Sequence, residues 1–376
     1  MQAAGACGDA GGQAQALAPL TGRRPPPYSR DFTLGETRVW LRQKACWEEL
    51  EDRRKLEEQN PSPPGSCGGV VVCHVHRALL PDEEWRRLEA RAIDALLAQN
   101  SPEAPEAVAI VGMLGDLSSA REPLAPEEPD RLLQALLVAT RDERESVRGS
   151  AALFLTTSVL GGADPKARGE AMLEVIREGD AAVRLPLVSS IAGLPPEVLE
   201  ACGGQFASAL MALRNDPDKR TAMAGLVGVG CLGEHGEAFA PELAGLFAGE
   251  DQKAAVAASM ALEQLGRRAS GVLDSVRKLL ASPTPRIRSR ACRVIGAMRE
   301  LGGPAVPDLV ARLDDVDENV GSSAARALAC VGPLAIDAAR VLEKHVDADA
   351  NALGGFAKIA LDSILGKGLP AGLVAE

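Results

Sequence analysis

Residues 307–332 read PDLVARLDDVDENVGSSAARALACVG, and this stretch decides the fold. Leu309 and Leu313 stand four residues apart, on one face of a helix. Asp314, Asp315 and Asp317 then supply the side chains that favour turns and helix starts. Val320, Ala324, Leu328 and Val331 follow at the spacing of a single stripe along an α-helix. Gly332 closes the pattern as a helix C-cap does. The stretch is therefore a helix A, a turn and a helix B.

Outward from it, the same frame returns every 33 residues. Thr221, Ala254, Ile287, Val320 and Leu353 share one position, and Gly225, Ala258, Ala291, Ala324 and Ala357 share the next. Val229, Leu262, Ile295, Leu328 and Leu361 continue the stripe, which ends on Leu232, Leu265, Met298, Val331 and Ile364. Small residues at the middle position let a neighbouring helix come close. Helix A repeats as Leu243, Val276, Leu309 and Leu342, each followed four residues on by Phe247, Leu280, Leu313 or Val346. Gly233, Gly266 and Gly332 share one offset at the end of helix B. Looser copies lie upstream, at Val147-Arg148 with Ala151 and Leu155, and at Val183-Arg184 with Leu187 and Ile191. A further pair runs from about Glu103 to Arg141, interrupted by the proline-rich stretch from Glu122 to Pro129.

The pattern Pro307-Asp308-Leu309, Asp315, Val320, Ala324-Ala325, Ala327-Leu328, Gly332 resembles the HEAT family, particularly its short form named after phycobilisome lyases. The family's Val-Arg pair stands as Val147-Arg148, Val183-Arg184 and Ile287-Arg288. The resemblance covers roughly residues 103–366 and implies an all-α fold, an α-solenoid of about seven helical pairs with a helical N-terminal extension. It also implies that Arg148, Arg184 and Arg288 serve the turns. Ankyrin repeats have a similar period, but their Thr-Pro-Leu-His signature is missing. Tetratricopeptide units use Trp and Tyr, and residues 101–376 hold neither.

Composition agrees. Aromatic residues are 3% of the chain and apolar residues 46%, a balance suited to closely packed helices. The formal charge of −11 disfavours the phosphate backbone of nucleic acid as a general partner. No apolar run reaches the roughly 18 residues that a membrane helix needs, and no secretory signal is evident, so a cytoplasmic protein without a membrane partner is expected. Cys231, Cys292 and Cys330 read as small buried hydrophobes on helices B.

Four segments are expected: a disordered tail at 1–30, a mostly helical module at 31–102, the repeat array at 103–366 and a C-terminal tail at 367–376. All three tryptophans, Trp40, Trp47 and Trp85, lie in this module, and the one tyrosine, Tyr28, stands just before it. The spacing gives one helix from Glu36 to Gln59, with Val39, Trp40, Cys46, Trp47 and Leu50 on one side, and another from Pro81 to Gln99. Val70 to Cys73 reads as a short strand. These elements either cap the open end of the array or form a separate partner-binding element.

Chemistry is sparse. Cys67, Cys73, His74 and His76 are a weak metal candidate, with too many residues between the cysteines for a standard zinc finger and with strand alternation separating the side chains. No cofactor is implied. Deoxyhypusine hydroxylase resembles this architecture but uses several His-Glu pairs, whereas this chain has four histidines and no such pair. The remaining signal is the side of helix B opposite the core stripe. There Met260, Arg293, Arg326 and Ile359 occupy one offset, and Arg286 and Arg290 add charge beside Arg293. Arginine forks favour carboxylate and phosphate. The ridge reads either as a site for an acidic segment of another protein or as a solvated face whose arginines pair with turn acids such as Asp251, Asp315 and Asp317. With no nucleophile–base pair or phosphate loop in view, the chain reads as a protein–protein scaffold presenting a curved surface rather than an enzyme. The family resemblance leaves open a phycobilin-lyase-like enzyme that binds an acidic small ligand. The register makes one quantitative demand. Leu328→Ala should cost about 2–5 kcal/mol in urea unfolding, and an unchanged unfolding curve would show that the stripe is misplaced.

Overall fold

A computed structural model describes residues 25–59, 75–118, 128–157, 160–346 and 352–366. It is all-α: every regular element among the described residues is helical, and the helices stack as the pairs of an α-solenoid. None of these helices is long and apolar enough to cross a membrane. The chain forms two compact units, one ending at Ala201 and one beginning at Cys202.

The first unit contains α1 (Leu34–Gln59), α2 (Asp82–Leu97), α3 (Ala104–Ser118), α4 (Pro129–Ala139), α5 (Glu145–Phe154), α6 (Pro165–Glu178) and α7 (Ala181–Ser189). α8 (Pro196–Ala212) carries the chain into the second unit. In α1 the buried stripe is Leu34, Thr37, Leu41 and Ala45, with Trp40 and Cys46 beside it. Val39 is exposed, so the apolar side is turned by one position from the expected one. The cause lies upstream of the helix. The indole Nε1 of Trp40 donates to the Pro26 carbonyl at 2.8 Å, and Tyr28 packs on both Phe32 and Trp40. α1 opens with a capping box, in which the Thr33 hydroxyl accepts from the Glu36 N–H and Glu36 accepts from the Thr33 N–H. Cys46 is disulfide-bonded. The strand expected at Val70 to Cys73 lies outside the described residues.

The looser upstream repeats hold. Val147, Ala151 and Leu155 of one and Val183, Leu187 and Ile191 of the other are all buried, and α5 packs along α7. Between them Arg168 is buried and donates to the carbonyls of Leu155 and Thr157, each at 2.8 Å. These carbonyls lie at the C-terminal end of α5, the negative end of its dipole, which gives a buried cation favourable company. Burial still pushes this guanidinium down to about 10.

The second unit continues with α9 (Lys219–Cys231), α10 (Glu234–Glu237), α11 (Ala240–Phe247), α12 (Gln252–Leu265), α13 (Leu273–Leu279), α14 (Pro285–Ala297), α15 (Val306–Val310), α16 (Glu318–Val331), α17 (Ala339–Val346) and α18 (Ala352–Ile364). Helices B are α9, α12, α14, α16 and α18, and the pairs α9–α12, α14–α16 and α16–α18 pack most extensively in the unit. Ala258, Ala291, Ala324 and Ala357 are fully buried between them. At a second position of helix B the backbones of neighbouring helices nearly touch: a Cβ on Gly230 would lie 2.6 Å from the Cα of Ala261, and one on Gly296 would lie 3.0 Å from the Cα of Ala327. Leu243, Val276, Leu309 and Leu342 are buried from the helix A side. A fully buried aliphatic side chain is worth about 1.5–3 kcal/mol, so the two stripes carry most of the stability. The helices A α13, α15 and α17 are shorter than three turns, because a 3-10 turn takes the residues after α12, α14 and α16, at Gly266–Val272, Arg299–Ala305 and Gly332–Ala338.

Helices B also share their start. Asp218, Asp251 and Asp317 each stand before the first helical residue and accept backbone N–H bonds, from Arg220, from Lys253 and Ala254, and from Asn319. Thr284 holds the same place in α14 and makes no side-chain cap bond. Thr284→Asp should therefore raise stability by about 0.5–1 kcal/mol. An unchanged or lowered melting temperature would mean that the α14 start is already satisfied by Pro285 and its neighbours.

Candidate partner-binding ridge

The exposed side of the helix B stack is set by the buried one. Because Ala258, Leu262 and Leu265 face the core of α12, Met260 and Glu263 emerge on the far side, with Met260 exposed. The same logic brings out Arg286, Arg290 and Arg293 on α14, Arg326 on α16 and Ile359 on α18. Arg286 is exposed, while Arg290, Arg293, Arg326 and Ile359 are half-buried.

Polar rungs tie one helix B to the next. Arg293 donates through Nε and Nη2 to Glu263 Oε1 at 3.1 and 2.8 Å. Arg290 Nη1 donates to the Ser259 hydroxyl at 3.0 Å, and the hydroxyls of Ser289 and Ser323 lie 2.8 Å apart. Burial lowers the Arg290 guanidinium, Arg293 and then Arg286 lower it further, and Glu263 opposes them. On α16 the half-buried Cys330 thiol is pushed up by burial, drawn down by Arg299 and Arg326, and raised again by Glu263. Glu263 is thus an acid facing arginines contributed by α14, by α16 and by the turn between them. Its role was not read from the sequence, although it stands one helical turn after Met260.

The turn acids do different work. Asp251 and Asp317 cap helices, and Asp315 takes the fork of Arg288 at 2.8 Å (Nε) and 2.6 Å (Nη2). Arg288 also donates to the carbonyls of Ser282 and Pro283. Both side chains are buried, and Arg288 holds the Asp315 carboxyl below the usual carboxylate range. Arg148 plays the equivalent part in the first unit, donating to the carbonyls of Asp142 and Glu143 and to Asp180. Arg184 donates to the Arg177 carbonyl. The turn arginines and the ridge arginines are separate sets.

The other candidates divide between described and undescribed residues. His76 lies 3.1 Å from Glu48, whereas Cys67, Cys73 and His74 fall outside the described residues. Among the described residues no group of three or more His, Cys, Asp or Glu is placed to hold a metal ion. Cys202, Cys231, Cys292 and Cys330 are free thiols. Burial pushes Cys292 up to about 12 and raises Cys231, which makes both poor nucleophiles. In the first unit an open cleft of about 430 Å³ is lined by Phe32, Val39, Trp40, Glu36 and Glu106.

Residues 240–329 and 273–353 match a family model for HEAT repeats, and this stretch of the chain consists of such repeats. No curated protein sequence matches the chain. Solved structures with a similar fold include Kap121p, a karyopherin, bound to the SUMO protease Ulp1p, at 16% identity over 88% of this chain and 41% of that one, with a TM-score of 0.42. Kap121p bound to Pho4p gives 15% identity over 77% and 38%, with a TM-score of 0.43. Human deoxyhypusine hydroxylase in complex with glycerol gives 16% identity over 75% and 98%, with a TM-score of 0.29. The chain spans less than half the length of the karyopherin chains it matches.

The separation of the two arginine sets can be tested by stability. Arg288→Ala should cost about 3 kcal/mol, because it leaves the buried Asp315 carboxylate with only the longer Arg312 contact at 3.4 Å and the Asp317 N–H. Arg293→Ala should cost under about 1 kcal/mol, as an exposed pair does. Because the Asp315 pKa is depressed in the folded state, its contribution is fully present above an unfolded value of about 3.9 and is lost as pH falls through the lower folded value. Arg288→Ala should flatten that part of the acid-unfolding profile. Equal losses for the two variants would collapse the distinction.

Proposed function

We propose that the chain is a protein-interaction scaffold whose helix B ridge, from α12 to α18, takes an acidic segment of another protein. One observation carries the reading. In a chain with a formal charge of −11, the ridge gathers Arg286, Arg290, Arg293 and Arg326 beside two acids, Glu263 on α12, which holds Arg293, and Asp362 at the same repeat offset on α18. Opposite charge on the partner meets this surface favourably, raises the encounter rate and rejects basic competitors. Met260 on one side and Ile359 on the other offer apolar contact beside the charge. Arginine is well suited to the task because its planar fork pairs two-to-two with a carboxylate. Stacked repeats offer such a surface without an enclosed pocket.

Glu263 acts in this reading as an internal stand-in for the partner, holding Arg293 until a competing carboxylate arrives. The experiment is a titration of a fluorescently labelled acidic peptide against the full chain. Arg293→Glu with Arg326→Glu should weaken binding about tenfold or more and flatten its salt dependence, with the fold retained to within about 1 kcal/mol. Glu263→Gln should tighten binding, because it removes the competing acid. A folded double variant that binds at full strength would sink the ridge as the site. Weaker binding by Glu263→Gln would show that the rung, not the free charge, is what the peptide needs.

A further inference from the structure

Arg299 holds a backbone position that its repeat equivalents give to glycine. Gly233, Gly266 and Gly332 end their helices B at φ of +58°, +56° and +70°. Arg299 stands 33 residues after Gly266 and 33 before Gly332, and its φ is +58°. A Cβ in this region crowds the neighbouring carbonyl, so an L side chain is strained where glycine is not. Its charge favours the neighbouring Glu300, which Arg267 already holds by an ion pair. Among the described residues the Arg299 guanidinium makes no hydrogen bond or ion pair. A cation near a helix C-terminus is favoured by the dipole, yet three sister repeats close the same turn with no side chain at all.

Its place in the molecule is at the C-terminal end of the ridge. Gly296, three residues earlier, packs against Cys330, whose Cβ would lie 3.7 Å from a Cβ on that glycine. The Cys330 thiol in turn feels Arg299, Arg326 and Glu263 together. Strained residues held by a well-packed surrounding occur preferentially where a side chain has work outside the fold. We propose that Arg299 is a further binding residue of the ridge, presenting an unpaired guanidinium to a carboxylate of the acidic segment. The proposal rests on the ridge reading above and names the residue that extends it beyond α14 and α16. It also implies a conflict between stability and binding at a single position.

The test uses the full chain, a fluorescein-labelled decaglutamate peptide, anisotropy at low and moderate salt, and thermal unfolding. Arg299→Gly should raise the Tm by about 2–4 °C and weaken peptide binding by about threefold to tenfold, with a shallower salt dependence. Arg299→Lys should keep most of the binding and none of the gain in Tm. Arg299→Gly that binds as the wild type does, while the Arg293→Glu/Arg326→Glu double variant loses binding, would overturn this inference and leave the ridge reading standing. A double variant that binds as the wild type does would remove both. Arg299→Gly that loses stability together with binding would show a structural cap instead, and would overturn the inference as well.

Discussion

The second unit depends on how closely successive helices B approach. Small residues stand where these helices cross, with Gly230 against Ala261 and Gly296 against Ala327, and the backbones come together over them. A larger residue at any of these places would force the helices apart and open the aliphatic stripe on either side. That one constraint explains the paucity of aromatic side chains in the repeats. It also explains the rungs on the outer side, since residues such as Glu263 and Arg293 can meet only if their helices are near neighbours.

Arginine does three kinds of work in this chain, and environment alone separates them. Arg288 and Arg148 reach back to carbonyls of their own turn and across to an aspartate, which locks each turn to its neighbour. Arg168 is buried, where its two carbonyl partners satisfy its donors at a cost in charge desolvation visible in its lowered pKa. The ridge arginines keep part of their guanidinium surface in water. In the proposed function it is this last set that exchanges its present partners for those of another molecule.

The first unit obeys the same packing rule with less regular means. α7 carries Pro186 within it, and the Ser190 hydroxyl donates to the carbonyls of Pro186 and Leu187 near its end. The upstream copies also drift from the 33-residue frame. Aromatic residues concentrate at its N-terminal side, where Tyr28, Phe32 and Trp40 fasten an extended segment onto α1. No period marks this contact in the sequence.

The sequence by itself determined the helical pairs, their register and the turns that join them. The reason is that a buried stripe must recur with the helical period, and each repeat meets the same neighbours; Val320, Ala324, Leu328 and Val331 say as much from spacing alone. It also separated the turn arginine Arg288 from Arg293 by register. Which acid each arginine meets was decided only in three dimensions. Glu263 lies 30 residues from Arg293, and Asp315 lies 27 from Arg288. Neither distance is a helical neighbour's, and both pairs exist because stacking brings successive repeats side by side. The same holds for Arg299: the sequence shows a glycine position filled by arginine, but the sign of its φ and the nearness of Arg326 and Glu263 come from the closing of one turn against the next helix.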